Sequence, residues 1–235
     1  MEFGLRERYE RLQAELAQEA RAAGRSAGDI VIVAVTKKQP AALIREAIAA
    51  GVRDVGENYL QEARDKFDEL GSDATSPCIR KHFIGHVQTN KAKAIVQTFD
   101  MVQSVDRAEA GLALGRAASA LQKRLPVLIQ LNVSPNDRFG CRPEQAESLA
   151  GILRAEEGLV VSGVMAMAPI TDDAAAIERA FALAAKTLER VGGNTLSIGM
   201  SGDWRAAVRS GSTMIRVGTS LFGPRPAAPL AGAKK

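Results

Sequence analysis

Ile30-Val-Ile-Val-Ala-Val-Thr36-Lys37-Lys38-Gln39-Pro40 is the stretch that decides the fold. A run of β-branched residues interrupted only by Ala34, without polar alternation, is the pattern of a strand buried on both faces of a parallel sheet. Two lysines and a proline follow it, where an open dinucleotide-binding sheet would carry a glycine-rich turn. Outward from this run the same texture repeats, at residues 54–56, 81–85, 101–104, 127–133, 159–165, 195–198 and 214–217. Between the runs lie stripes of helical period: Leu43, Ile44, Ala47 and Ile48 after Pro40; Leu60, Ala63, Phe67 and Leu70; Ala110, Ala113, Leu114, Ala117 and Leu121. Ala146, Leu149, Ala150 and Leu153 continue the series with Pro143 as a first-turn residue, then Ile177 to Val191, then a short stripe at Trp204, Ala207 and Val208. Leu5, Tyr9, Leu12 and Leu16 predict one more amphipathic helix ahead of the first strand, stopped at Gly24. Eightfold alternation of strand and helix predicts a (β/α)8 TIM barrel with an additional N-terminal helix.

Composition narrows the function classes. The chain has 235 residues, 46% hydrophobic and 25% charged, an ordinary globular balance. Its formal charge of +4, from 31 basic and 27 acidic residues, is spread along the chain, and seven Phe, two Tyr and one Trp offer little stacking surface for nucleic acid. No apolar run is long enough to span a bilayer, and the charged start Met1-Glu2-Phe3-Gly4-Leu5-Arg6-Glu7 lacks a signal core, so a cytoplasmic address is expected. Cys78 and Cys141 cannot make a disulfide framework or a multi-cysteine zinc site, and with only His82 and His86 besides, no metal site is expected. The Pro/Ala-rich tail, residues 224–235, is expected to be disordered.

In such a barrel, chemistry sits at the C-terminal ends of the strands. Lys37 is the sharpest candidate there. Side chains alternate along a strand, so one of Lys37 and Lys38 points into the mouth and the other away. Both could simply meet solvent; alternatively one is a Schiff-base lysine, its pKa lowered by neighbouring positive charge such as Arg216. Arg216-Val-Gly-Thr-Ser220 ends the last strand, and its backbone N–H groups, with the Thr219 hydroxyl, could hold a phosphate. Gly199-Met200-Ser201 would form the other wall, although Gly and Ser are also ordinary turn formers. Asn58 caps the second helix of the barrel or acts as a ligand; His86 and Asn90 read as loop or helix caps, and His82 as a packed core histidine. Met165, Met167 and Trp204 read as packing.

Taken together, Ala34-Val-Thr-Lys37, Gly56-Glu-Asn-Tyr59, His82-Phe-Ile-Gly85 with Gln88-Thr-Asn-Lys91, Gly163-Val-Met165, Gly199-Met-Ser201 with Asp203, and Gly211-Ser-Thr-Met-Ile-Arg-Val-Gly-Thr219 with Phe222-Gly223 resemble the YggS/PROSC family of pyridoxal phosphate (PLP) homeostasis proteins. The motifs run in order over nearly the whole chain. The resemblance implies the barrel of bacterial alanine racemase as one PLP-binding domain, residues 1–223. It implies Lys37 as the lysine that holds PLP in a Schiff base, Arg216 facing the pyridine nitrogen, Ser201, Gly218 and Thr219 on the phosphate, and Asn58 near the cofactor. It also implies PLP-accepting apo-enzymes as partners, with no nucleic acid or membrane involved. Arg138 stands where the family often has a lysine, so no secondary attachment of PLP is expected in that loop, because a guanidinium does not form an imine.

Carrier and racemase remain the two competing expectations. Racemisation needs an electron sink and an acid–base group on each side of the substrate carbon. An arginine at the pyridine nitrogen weakens the sink, although alanine racemases work with one. In those enzymes the opposing base is a tyrosine from a further β domain of a partner subunit. The sequence stops soon after its eighth strand, and its only tyrosines are Tyr9 and Tyr59. The expectation is therefore a carrier or regulator, monomeric and without turnover, rather than a racemase.

Overall fold

The computed structural model describes residues 4–71, 79–134 and 139–223. Helix α1 (Leu5–Ala22) precedes a closed barrel of parallel strands in sequential order: β1 (Val31–Val35), β2 (Asp54–Glu57), β3 (Arg80–Phe83), β4 (Met101–Val105), β5 (Leu125–Leu131), β6 (Leu159–Ala166), β7 (Thr195–Ser197) and β8 (Met214–Val217). The barrel closes where β1 pairs with β8, from Val31 opposite Met214 to Ala34 opposite Val217. The connecting helices are α2 (Ala41–Ala49), α3 (Leu60–Leu70), α4 (Ala92–Thr98), α5 (Ala108–Ala120), α6 (Ala146–Arg154), α7 (Ala174–Val191) and α8 (Trp204–Arg209), and a single turn, α9 (Thr219–Phe222), follows β8. The eightfold strand pattern expected from sequence is the one observed among the described residues.

Three details differ from the sequence reading. After the loop that carries His86, a helix for which the sequence reading named no apolar stripe, α4, buries Ala92, Ile95 and Val96. Pro143 lies in the turn before the Gln145 cap of α6 rather than in its first turn. Strand β5 starts at Leu125, ahead of Pro126, because the Leu125 N–H bonds to the Gly158 carbonyl at 2.8 Å and pairing is under way before the proline. Cys78, the Arg138 loop position and the tail from 224 lie outside the described residues.

Strand alternation sorts the side chains into two cores. Phe83, Val102, Val127, Ile129, Val164 and Leu196 face the helical layer and pack with Ile95, Phe99, Leu114, Leu153 and Phe181. The opposite phase fills the barrel interior and is unusually polar: His82, Gln103, Gln130, Ser197 and Arg216 are all buried. Helix α1 lies over the seam between β1 and β8. Its Leu5 and Tyr9 pack with Ala34, Ile44 and Ile48, and its Leu12 and Leu16 with Trp204, Val208, Ile215 and Val217. Each leucine so buried contributes roughly 1.5–3 kcal/mol. At Gly163, φ is +149° and an added Cβ would fall 2.0 Å from the Thr195 carbonyl oxygen, so β6 and β7 approach closely only over a glycine.

Candidate functional site

Lys37 leaves β1 on the phase of Val33, which faces the barrel interior, while Ala34 faces the helices. Lys37 is half-buried and Lys38 exposed. Lys38 adopts φ of +61°, and its N–H donates to Glu62 of α3. The carbonyl of Thr36, on the other side of Lys37, accepts from Lys66 Nζ at 2.6 Å. Both peptides flanking Lys37 are thus tied to one helix.

That tie is itself a charged cluster. Lys66 Nζ lies 2.7 Å from Glu57 Oε1 and 2.6 Å from Glu62 Oε1, and the Thr36 hydroxyl donates to Glu57 Oε1 at 2.8 Å. Glu57 is fully buried, and its Oε2 has no hydrogen-bond partner among the described residues. Burial pushes the Glu57 carboxyl above its ordinary value, against the opposing pull of Lys66 and Thr36.

One strand over, Asn58 follows β2 and does not cap α3, whose cap position is Tyr59. Its amide oxygen is buried and accepts from nothing among the described residues. The Asn58 backbone is overlain by Gly85, where a Cβ would fall 2.0 Å from the Asn58 carbonyl oxygen. On the other side of β1, Gly218 lies against Val35, an added Cβ meeting it at an ordinary 3.6 Å. The N–H groups of Gly218 and Ser220 converge on Ser201 Oγ, each at 3.2 Å. Thr219 is exposed beside them. A groove of about 300 Å³, walled by Arg8 and Arg11 of α1 and by Trp204 and Arg205 of α8, reaches Ser201 and Ser220.

Arg216 is 4% exposed. Its Nη1 donates to the Ser197 carbonyl at 2.8 Å and to Ser197 Oγ at 2.6 Å, and its Nη2 to the Ala166 carbonyl at 2.9 Å. Nε makes no hydrogen bond among the described residues. Burial pushes the guanidinium pKa down to about 10, with Asp203 pulling the other way, so it remains charged at neutral pH. Asp203 in turn is raised by burial, against the Met200 N–H that it accepts at 2.5 Å and the attraction of Arg216.

The candidate residues thus fall on four consecutive staves of the barrel: Ser201 after β7, Arg216, Gly218 and Thr219 at the end of β8, Lys37 after β1 and Asn58 after β2. His82 is the core histidine expected, bonded to Asp54 and Gln103. His86 stacks on the exposed Phe139 ring with 4.6 Å between centroids and faces Asp106 at 4.0 Å. Cys141, its thiol pushed up to about 11 by burial, is no nucleophile here.

The alanine racemase N-terminal domain family matches residues 10–226. A pyridoxal phosphate homeostasis protein of Pseudomonas aeruginosa is 41% identical over 222 residues, which are 93% of this chain and 95% of the relative. The chain belongs to the pyridoxal phosphate homeostasis protein family. PipY of Synechococcus elongatus, a protein solved with PLP bound, is 35% identical and superposes with a TM-score of 0.79 over 88% of this chain and 100% of its own. Alanine racemase of Corynebacterium glutamicum, at 16% identity and a TM-score of 0.68, shares the barrel; this chain spans 62% of it.

Two features of this homeostasis-family barrel escaped the sequence reading. Lys66 sits three residues after Ala63, on the apolar stripe of α3, and a charge on a buried stripe was a readable sign of a buried ion pair. Gln103 and Ser197 lie inside strands buried on both faces, where a polar residue must find a partner. The partner itself comes from another strand, which no local pattern encodes.

Proposed function

We propose that this chain holds pyridoxal 5′-phosphate and serves its homeostasis inside the cell as a carrier or regulator, without turning over a substrate of its own. One juxtaposition carries the reading: the lysine at the end of β1 lies beside the converging N–H groups at the end of β8, with Gly218 against Val35. An amine next to an anion-binding turn suits an aldehyde that bears a phosphate. Family membership and the PLP-bound PipY support the same ligand.

The residues present fit that group. Among the described residues, Asn58 offers a buried acceptor that no donor satisfies, and the hydrogen bonds of Arg216 use Nη1 and Nη2 but not Nε. In this reading Lys37 is the residue that would hold PLP, as a Schiff base through its amine. Ser201, Gly218 and Thr219 hold the phosphate, Arg216 faces the ring nitrogen and Asn58 lies near the ring. Bound PLP supplies an electron-withdrawing ring, and a charged arginine at the ring nitrogen keeps that nitrogen unprotonated and the withdrawal weak. This favours storage over turnover. We assign the chain to the cytoplasm as a single-domain monomer that exchanges PLP with apo-enzymes; among the described residues no helix is long and apolar enough to cross a membrane.

An absorbance scan with and without added PLP tests the reading, followed by borohydride reduction and peptide mapping. The expected result is a visible band and a label on Lys37 that is lost in Lys37→Ala. A label only elsewhere, or none, overturns the assignment. Lys37-dependent loss of optical activity from an L-amino acid would establish a racemase instead.

A further inference from the structure

We infer that Gln103 and Ser197 are positioning residues for Arg216, the last links of a one-way hydrogen-bond chain that crosses the barrel interior from Asp54. The inference rests on the reading of Arg216 as the group that faces the PLP ring. Asp54 Oδ1 lies 2.8 Å from His82 Nε2, and His82 Nδ1 lies 3.0 Å from Gln103 Nε2. Ser197 Oγ lies 2.7 Å from Gln103 Oε1 and 2.6 Å from Arg216 Nη1. His82, Gln103 and Ser197 are buried, so none of these groups can turn to water instead.

Asp54 sets the direction. Burial pushes its carboxyl up, but the hydrogen bonds from His82 and Arg80 and the charge of Arg80 pull it down, and it lies below the ordinary value. It is therefore ionised at neutral pH and can only accept. His82 Nε2 must then carry the hydrogen, which leaves the Nδ1 lone pair to be met by a donor, the Gln103 amide nitrogen. The same nitrogen also reaches Met214 Sδ at 3.2 Å, and a thioether accepts only. Turning the amide over would set its oxygen against two acceptors. The Gln103 oxygen is thus committed to the Ser197 hydroxyl, and the hydroxyl hydrogen to Gln103. What Ser197 presents to Arg216 is a lone pair.

With Nη1 held by Ser197 and Nη2 by Ala166, the guanidinium plane is fixed and Nε is aimed by its neighbours rather than by solvent. Without Gln103, the Ser197 hydroxyl can rotate its hydrogen toward the cation and the plane loosens.

Two measurements test the chain. In the unliganded protein, ¹⁵N shifts of the His82 ring should report a hydrogen on Nε2 and a bare Nδ1 that accepts from Gln103. A hydrogen on Nδ1, or an imidazolium, overturns the proposal. In PLP titrations, Gln103→Met and Ser197→Ala should each weaken binding about 3- to 10-fold, the value of one well-placed hydrogen bond, and move the visible band. Ser212→Ala, which removes a single hydroxyl hydrogen shared among the Leu196, Ile198 and Met214 carbonyls, should lower the melting temperature and leave the band in place. If Gln103→Met does not fold, Ser197→Ala and the wild-type ring shifts still decide. Unchanged affinity and band in the folded variants, beside a wild type that binds PLP, sink the positioning role alone. A wild type with no band overturns the PLP reading instead.

Discussion

Lys66 is a buried cation whose company decides its worth. It neutralises Glu57, reaches Glu62 and holds the Thr36 carbonyl, so removing it strands a carboxylate that is fully buried. Lys66→Met should therefore cost about 3–5 kcal/mol, the usual penalty for breaking one side of a buried pair, read as a fall in the urea midpoint. Asp54 gives the pH signature. Its folded pKa lies below the unfolded value, so its contribution to stability is present above that unfolded value and is lost as pH falls through the folded one. Asp54→Asn should flatten the acid limb of stability below about pH 4. Glu57, raised by burial, acts with the opposite sign: stability declines as pH climbs through its folded pKa, and Glu57→Gln should remove that decline. At the candidate site, the end of an uninterrupted apolar strand drew attention to Lys37 and Lys38 alike, and only the family motif chose Lys37. The partnership of Gln103 with Ser197 was not legible, since β4 and β7 bring them together only when the barrel closes, and that of Glu57 with Lys66, nine residues apart, depends on how α3 folds back on β2.

At the scale of elements, glycines set the approach of neighbouring segments. Gly163 combines φ of +149° with a carbonyl 2.0 Å from where a Cβ would stand, so Gly163→Ala must part β6 from β7. Destabilisation above about 1 kcal/mol is expected in denaturant unfolding. Gly85→Ala meets the Asn58 carbonyl at the same distance, but beside the candidate site. It should weaken PLP binding in titrations beyond what its loss of stability explains. The strands themselves were readable because parallel strands buried on both faces leave uninterrupted apolar runs. Helix α4 was not. Its seven residues, Ala92–Thr98, bury only Ala92, Ile95 and Val96, too short a stripe to distinguish from a loop.

For the molecule as a whole, α1 acts as a strap over the seam of the barrel. Its apolar face, rather than its charges, does the holding. Leu12→Ala should cost about 2–5 kcal/mol, whereas Glu19→Gln, which loses a half-exposed 2.6 Å contact to Arg209, should change stability by less than about 1 kcal/mol. Unfolding curves for the two variants would separate these contributions. The seam has a further consequence. Because β1 is paired with β8, the amine and the turn proposed to hold the vitamin come from positions far apart in the sequence, Lys37 and Gly218 to Ser220. On the proposed assignment, a nascent chain still short of residue 220 would lack the turn and should not retain the cofactor.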